Sequence, residues 1–146
     1  MLHSKLLSTR EQILLASVVS TRFLLVQPEY FGDVIVVNGK AWPYMKVQRR
    51  KYRFRMINAS NARLFNLALC NGLHFTQIGS DSFYLERPMS LKEILVAPSE
   101  IVDAIIDFAR SKESRIVMTN SANFPYPDGD SVDDMNKMVM KFIVAN

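Results

Sequence analysis

The chain has 146 residues, with 18 Lys+Arg, 14 Asp+Glu, 2 His and 1 Cys. That length suits one ordinary domain rather than two, and 49% apolar with 22% charged residues is a globular composition, not a disordered one. One Cys excludes an internal disulfide and any thiolate-rich metal site, and two His exclude a centre that needs three imidazoles.

The formal net charge of +4 is uneven. Lys46, Arg49, Arg50, Lys51, Arg53, Arg55 and Arg63 succeed one another with no acid between them, whereas Asp128, Asp130, Asp133 and Asp134 cluster with no base. The surface is therefore dipolar rather than uniformly basic.

Residues 1–27 read differently from the rest. The apolar run Ile13–Val19 is preceded by Lys5 and Arg10, the order found in a secretory signal. The run is short, Glu11 sits in its charged part, and Arg22 separates it from the next apolar residues. These features predict an irregular or short helical N-terminal extension, too short to span a bilayer.

From residue 28 onward the period is two. Tyr52, Phe54 and Met56 alternate with Arg53 and Arg55; Val102, Ala104, Ile106 and Phe108 alternate with Asp103 and Asp107. Met138, Met140, Phe142 and Val144 repeat the pattern around Lys141. Each predicts a strand with one face on a core and the other in water. Asn38-Gly39 after the β-branched run Val34–Val37, and Asn71-Gly72 between Leu64–Cys70 and Leu73–Gly79, predict hairpins, because both turn residues tolerate positive φ. Proline falls between the runs, where a missing N–H costs no ladder bond. About eight short strands at this spacing predict an all-β sandwich or Greek-key barrel.

The few reactive side chains limit the candidate chemistries. A blue-copper centre needs one thiolate, two imidazoles and a weak axial ligand. Cys70, His74 and Met89 have a plausible spacing, but the only second histidine is His3 in the atypical N-terminus. Cys70 and His74 therefore read as core or turn residues, the thiol as a small buried hydrophobe. His74 is the one histidine base in the body of the chain, and no G-x-S-x-G elbow or phosphate-cradling glycine loop occurs. The basic stretch interleaves Tyr52 and Phe54, yet strand alternation turns the aromatics inward and the arginines outward, which does not make a stacking platform for nucleic acid. It reads instead as a solvated or domain-docking face. The segment Tyr126-Pro127-Asp128-Gly129-Asp130 is a turn by composition; its carboxylates suit a hard cation, but the D-x-D-x-D-G calcium spacing is absent.

Five ordered motifs carry a resemblance. VNGKAWPY (37–44), KYRFRMINASNAR (51–63), QIGSDSFYLERP (77–88), LVAPSEIVDAIIDF (95–108) and MVMKFIV (138–144) make residues 28–146 resemble the middle, plastocyanin-like (cupredoxin) domain of multicopper oxidases. The similarity is to the bacterial spore-coat laccases and the plant low-phosphate-root ferroxidases, and RRKYRFR, NARLFN and FPYPDGD favour the plant branch. The resemblance implies a cupredoxin-like Greek-key sandwich, in a parent oxidoreductase of ferroxidase or laccase type with O₂ as electron acceptor. In that family, copper is held by His-x-His and His-Cys-His type motifs of the first and third domains, none of which is present. The expected chain is thus a fragment: a structural middle domain with no catalytic residue and no copper of its own, whose partners are the flanking cupredoxin domains. Glu29 in QPEYFG and Asp130 in PYPDGDS match acidic positions suited to receiving Fe(II). The family implies a secreted, apoplastic or endomembrane location. A stand-alone cupredoxin-like binding module is the alternative.

Overall fold

Strand alternation sorts the chain into two sheets with an apolar layer between them. The computed structural model describes residues 10–18, 29 and 31–145; His3 and most of the expected N-terminal extension lie outside the described residues. Twelve strands occur among them: β1 (Arg10–Val18), β2 (Val34–Val37), β3 (Lys40–Ala41), β4 (Tyr44–Gln48), β5 (Lys51–Asn58), β6 (Phe65–Leu69), β7 (Phe75–Ser80), β8 (Phe83–Leu91), β9 (Glu93–Val96), β10 (Ile101–Asp107), β11 (Arg115–Asn120) and β12 (Met138–Ala145). One sheet has the order β3-β2-β1-β5-β10-β7-β8 and the other β4-β12-β11-β6-β9. Pairing is antiparallel except for β1 with β5 and β4 with β12. The sole α-helix among the described residues is α1 (Asp134–Lys137).

The alternation on β5 and β10 appears as expected. Tyr52, Phe54 and Met56 are buried, as are Val102, Ala104 and Ile106. Phe108, just past β10 in a single 3₁₀ turn, joins Tyr52, Phe54 and Phe142 in an aromatic cluster with centroids 5.0–6.3 Å apart. Because Phe142 belongs to the second sheet, this cluster ties the sheets together. Offset and edge-to-face pairs at such distances stabilise beyond their area alone.

Four expectations need correction. Arg10–Val18 is neither irregular nor helical: it is β1, pairing Ile13 with Met56 on one side and Leu15 with Val37 on the other. Ile13 and Leu15 are buried, but Leu14 and Ala16 beside them are apolar too, so the sequence shows a run rather than an alternation. Second, Asn71-Gly72 is a tight turn, with Gly72 at φ 73° and its N–H donating to Leu69 O at 2.9 Å, but β6 and β7 lie in different sheets. The turn is a corner, not a hairpin. Asn38-Gly39, at φ 50° and 79°, does close the β2–β3 hairpin. Third, Met138 is 45% exposed while Val139 is buried. A register shift opposite Met118/Thr119 adds a residue to β12 there, and one extra residue flips the phase of a strand. Finally, Cys70 is exposed, at the start of the corner turn.

Candidate functional site

The motif KYRFRMINASNAR builds one end of the sandwich. Its alternation stops at Asn58, the last residue of β5, which is fully buried. Asn58 Nδ2 donates to Arg63 O at 2.8 Å and to Val96 O at 2.9 Å, while its Oδ1 accepts from Ser60 N at 3.0 Å and Ser60 Oγ at 2.6 Å. The backbone of Asn58 is held as well, donating to Glu100 O at 3.1 Å and accepting from Ser99 N at 2.8 Å. A buried amide satisfied in this way fixes one loop geometry, because any other leaves polar groups unpaired. The loop delivers Arg63 into the interior.

Arg63 is 1% exposed. Its guanidinium lies 4.4 Å from the Phe124 ring centroid and 5.6 Å from that of Phe31, and Nη2 donates to Gly32 O at 3.2 Å. Nε and Nη1 meet no hydrogen-bond partner among the described residues. Burial pushes its pKa down, opposed by the charges of Asp133 and Asp33. In the sequence this arginine belongs to a basic stretch expected to be solvated. The available signal is its position: it comes after the end of the alternation, two residues past the Asn58-Ala59-Ser60-Asn61 stretch.

Glu29 and Asp130 flank this arginine's two aromatic neighbours. Glu29 is exposed and lies two residues before Phe31. Asp130 is exposed and its backbone pairs both ways with Phe124: Phe124 N to Asp130 O at 2.9 Å, and Asp130 N to Phe124 O at 3.0 Å. The loop between them is closed by Gly129 N donating to Pro125 O at 2.7 Å and by Asn123 Nδ2 donating to Pro127 O at 2.9 Å. A Cβ on Gly129 would fall inside the backbone of Phe124 and Pro125, so the glycine is required by close approach. Phe31 and Phe124 are in ring contact at 5.9 Å. The segments that carry the two carboxylates therefore meet through their aromatic neighbours.

Two exposed carboxylates can attract a hard dication, but such ions take six or more oxygen ligands. Among the described residues no group of three or more His, Cys, Asp or Glu side chains could hold a metal ion. The copper donors do not assemble. Cys70 Sγ accepts from Val117 N at 3.2 Å, His74 Nδ1 is hydrogen-bonded to Ser90 Oγ at 2.9 Å, and Met89 is exposed on β8. Cys70 and His74 each have a local partner of their own, and the set does not fit a blue-copper centre.

The basic stretch is largely engaged within the protein. Arg53 forms a salt bridge with Asp103 across β5 and β10, its Nε lying 2.8 Å from Oδ1, and Nη2 also donates to the Tyr84 hydroxyl at 3.2 Å. The Asp103 hydrogen bond raises the Arg53 pKa further. Arg50 lies over the Tyr52 ring at 5.1 Å, and Arg49 Nη1 donates to Ser111 O.

Two facing sheets of this order, with an aromatic seam and no copper donor set among the described residues, define a cupredoxin-like sandwich. The comparisons extend the assignment from the fold to a family. The family model described as multicopper oxidase matches residues 10–144, and the chain belongs to that copper-using family. It is 59% identical to Multicopper oxidase LPR1 of Arabidopsis thaliana over 82% of the chain and 21% of that protein. It is 45% identical to a laccase of Bacillus subtilis (strain 168), over 82% of the chain and 23% of that protein. Among solved structures, a variant of the McoA multicopper oxidase from Aquifex aeolicus superposes with a TM-score of 0.77 at 31% identity, covering 94% of the chain and 32% of that structure. The chain spans about a fifth of the length of these curated relatives, which therefore contain further parts. No helix among the described residues is long and apolar enough to cross a membrane.

Proposed function

We propose that residues 28–146, completed by β1, act as the copper-free middle domain of a multicopper oxidase. In this role the unit spaces and orients flanking cupredoxin domains that carry the copper, and it contributes no catalytic residue. The parent activity is oxidation of a substrate with O₂ as acceptor, of ferroxidase or laccase type. The observation that carries the proposal is the pairing of a complete sandwich with a donor set that does not fit copper, since Cys70, His74 and Met89 are each engaged or exposed elsewhere.

Within this domain, Glu29 and Asp130 receive Fe(II) as substrate. The contact between Phe31 and Phe124 supports this role, because it places both carboxylate-bearing segments at one end of the sandwich. Carboxylate oxygen is the donor that a hard dication prefers, and the remaining ligands come from outside the chain. This reading leaves nucleic acid out of the partners, and the commitment of Arg53 to Asp103 and Tyr84 and the burial of Arg63 support it.

The stand-alone binding-module alternative is favoured by one feature. Phe83 and Tyr84 are 81% and 71% exposed on β8, an edge strand. The two readings separate on adding separately produced flanking domains of a relative. Fe(II) oxidation in air that requires this chain, and weakens in Glu29→Gln and Asp130→Asn, supports the middle-domain role; no association with those domains overturns it.

A further inference from the structure

The geometry points to Arg63 as the positioning residue of the carboxylate pair: its guanidinium, inserted against Phe31 and Phe124, fixes the segment carrying Glu29 and the loop carrying Asp130 in one arrangement. The inference rests on the Fe(II)-receiving role of those carboxylates and adds the element that sets their separation.

Three observations converge on this. First, Arg63 is the largest of the fully buried side chains, and a buried cation is tolerated only where something replaces its water. Here that replacement is two aromatic faces, at 4.4 and 5.6 Å, and one carbonyl, Gly32 O. Desolvated cation–π contacts are stronger than exposed ones, so the arrangement resists separation of either ring. Second, both rings are short levers. Phe31 and Gly32 come two and three residues after Glu29, and Phe124 is bonded in both directions to Asp130 through the backbone. A shift of the guanidinium moves both carboxylates; its removal lets each move alone. Third, Arg63 is itself anchored from the opposite side. Its carbonyl accepts from Asn58 Nδ2 at 2.8 Å and lies 2.7 Å from Ser60 Oγ, and Asn58 terminates a central strand. The clamp is thereby referenced to the rigid sheet rather than to another loop. Neither Glu29 nor Asp130 accepts a hydrogen bond from Arg63, so the arginine leaves their oxygens available while holding their backbones.

The test uses the full chain and Mn(II), an air-stable probe for a hard dication, with binding followed by electron paramagnetic resonance. Amide hydrogen exchange at Phe124, Gly129 and Asp130 is followed in parallel. Arg63→Met keeps an apolar, unbranched side chain in the site, and Phe124→Leu removes one ring face while leaving the arginine. Both variants are expected to bind Mn(II) about tenfold more weakly, the scale on which groups behind metal ligands act on affinity. Faster exchange at the three loop amides should accompany the loss, with β5 and β10 amides still protected. Arg63→Lys keeps the charge without the planar fork and should recover only part of the affinity; full recovery would reduce the arginine to a charge effect and overturn the inference. Wild-type affinity in Arg63→Met, with binding still lost in Glu29→Gln and Asp130→Asn, overturns the positioning role and leaves the carboxylate role standing. Equal Mn(II) binding by the wild type, Glu29→Gln and Asp130→Asn overturns the carboxylate role and this inference with it. If Arg63→Met does not fold, Phe124→Leu decides the positioning role by the same two readouts.

Discussion

Replacing Phe54 by Ala tests the join between the two sheets. Phe54 is fully buried on β5, and its ring centroid lies 5.6 Å from Phe142 on β12 and 6.3 Å from Phe108. Truncation withdraws the ring from the seam and leaves a cavity that the surrounding strands cannot close without breaking their ladders. Phe→Ala changes in cores cost about 3–5 kcal/mol. Three aromatic pairs, with Tyr52, Phe108 and Phe142, are lost as well, each worth about 0.5–1.5 kcal/mol beyond area, which places this site in the upper half of that range. A domain of this kind has about 5–15 kcal/mol in total, so the variant should keep its fold but lose a large share of its margin. Equilibrium urea unfolding reads the effect as a midpoint about 2 M lower at unchanged slope, for a slope near 2 kcal/mol/M. Phe83→Ala on the exposed edge strand is the control and should stay within about 0.5 kcal/mol of wild type. A midpoint shift below about 0.5 M for Phe54→Ala, with the slope retained, would mean that the ring does not bridge the sheets.

The same geometry sets other outcomes. Asn58→Ala removes the side-chain donor to Val96 O and one of the two donors near Arg63 O, where Ser60 Oγ at 2.7 Å remains, and the loss should cost about 1–3 kcal/mol in thermal or urea unfolding; a near-neutral result would show that the buried amide does not organise the loop. Gly129→Ala should cost about 1–3 kcal/mol through overpacking and speed amide exchange at Phe124 and Asp130, whereas unchanged exchange would refute the close approach. Arg53→Met and Asp103→Asn should each destabilise by about 1–3 kcal/mol, with the double variant costing less than their sum. The Arg53 pKa is raised in the folded state by Asp103, so its contribution is fully present below the unfolded value and is lost only as pH rises through the folded one; since arginine is charged throughout the working range, wild-type unfolding between about pH 7 and 9 should show no loss attributable to Arg53, and a fall that Arg53→Met abolishes would refute this.

The strands with one wet face were readable from sequence, because a half-buried strand writes its geometry into a period of two. Tyr52–Phe54–Met56 and Val102–Ala104–Ile106 are the clearest cases, and both sit where alternation places them. What failed was non-local. β1 is flanked by β2 and β5, and its parallel partner lies some forty residues away; no turn signal announces such a pairing. Asn71-Gly72 specifies a chain reversal but not which sheet receives the next strand, so a corner and a hairpin share one signature. Met138 was misplaced because a bulge is invisible to a two-residue period. At the candidate site, Glu29 and Asp130 stood out through the family motif, and their segments do lie together at one end. Arg63 did not stand out, because burial of a guanidinium depends on two rings, Phe31 and Phe124, that are ninety-three residues apart in the chain.

The most direct measurement is the metal content of the full chain after loading with Cu(I) and Cu(II) and removal of unbound metal by gel filtration. The copper-free middle-domain account predicts copper well below one equivalent per chain and no Fe(II) oxidation in air by the chain alone. One retained equivalent of copper, lost on replacing Cys70 or His74, would contradict it.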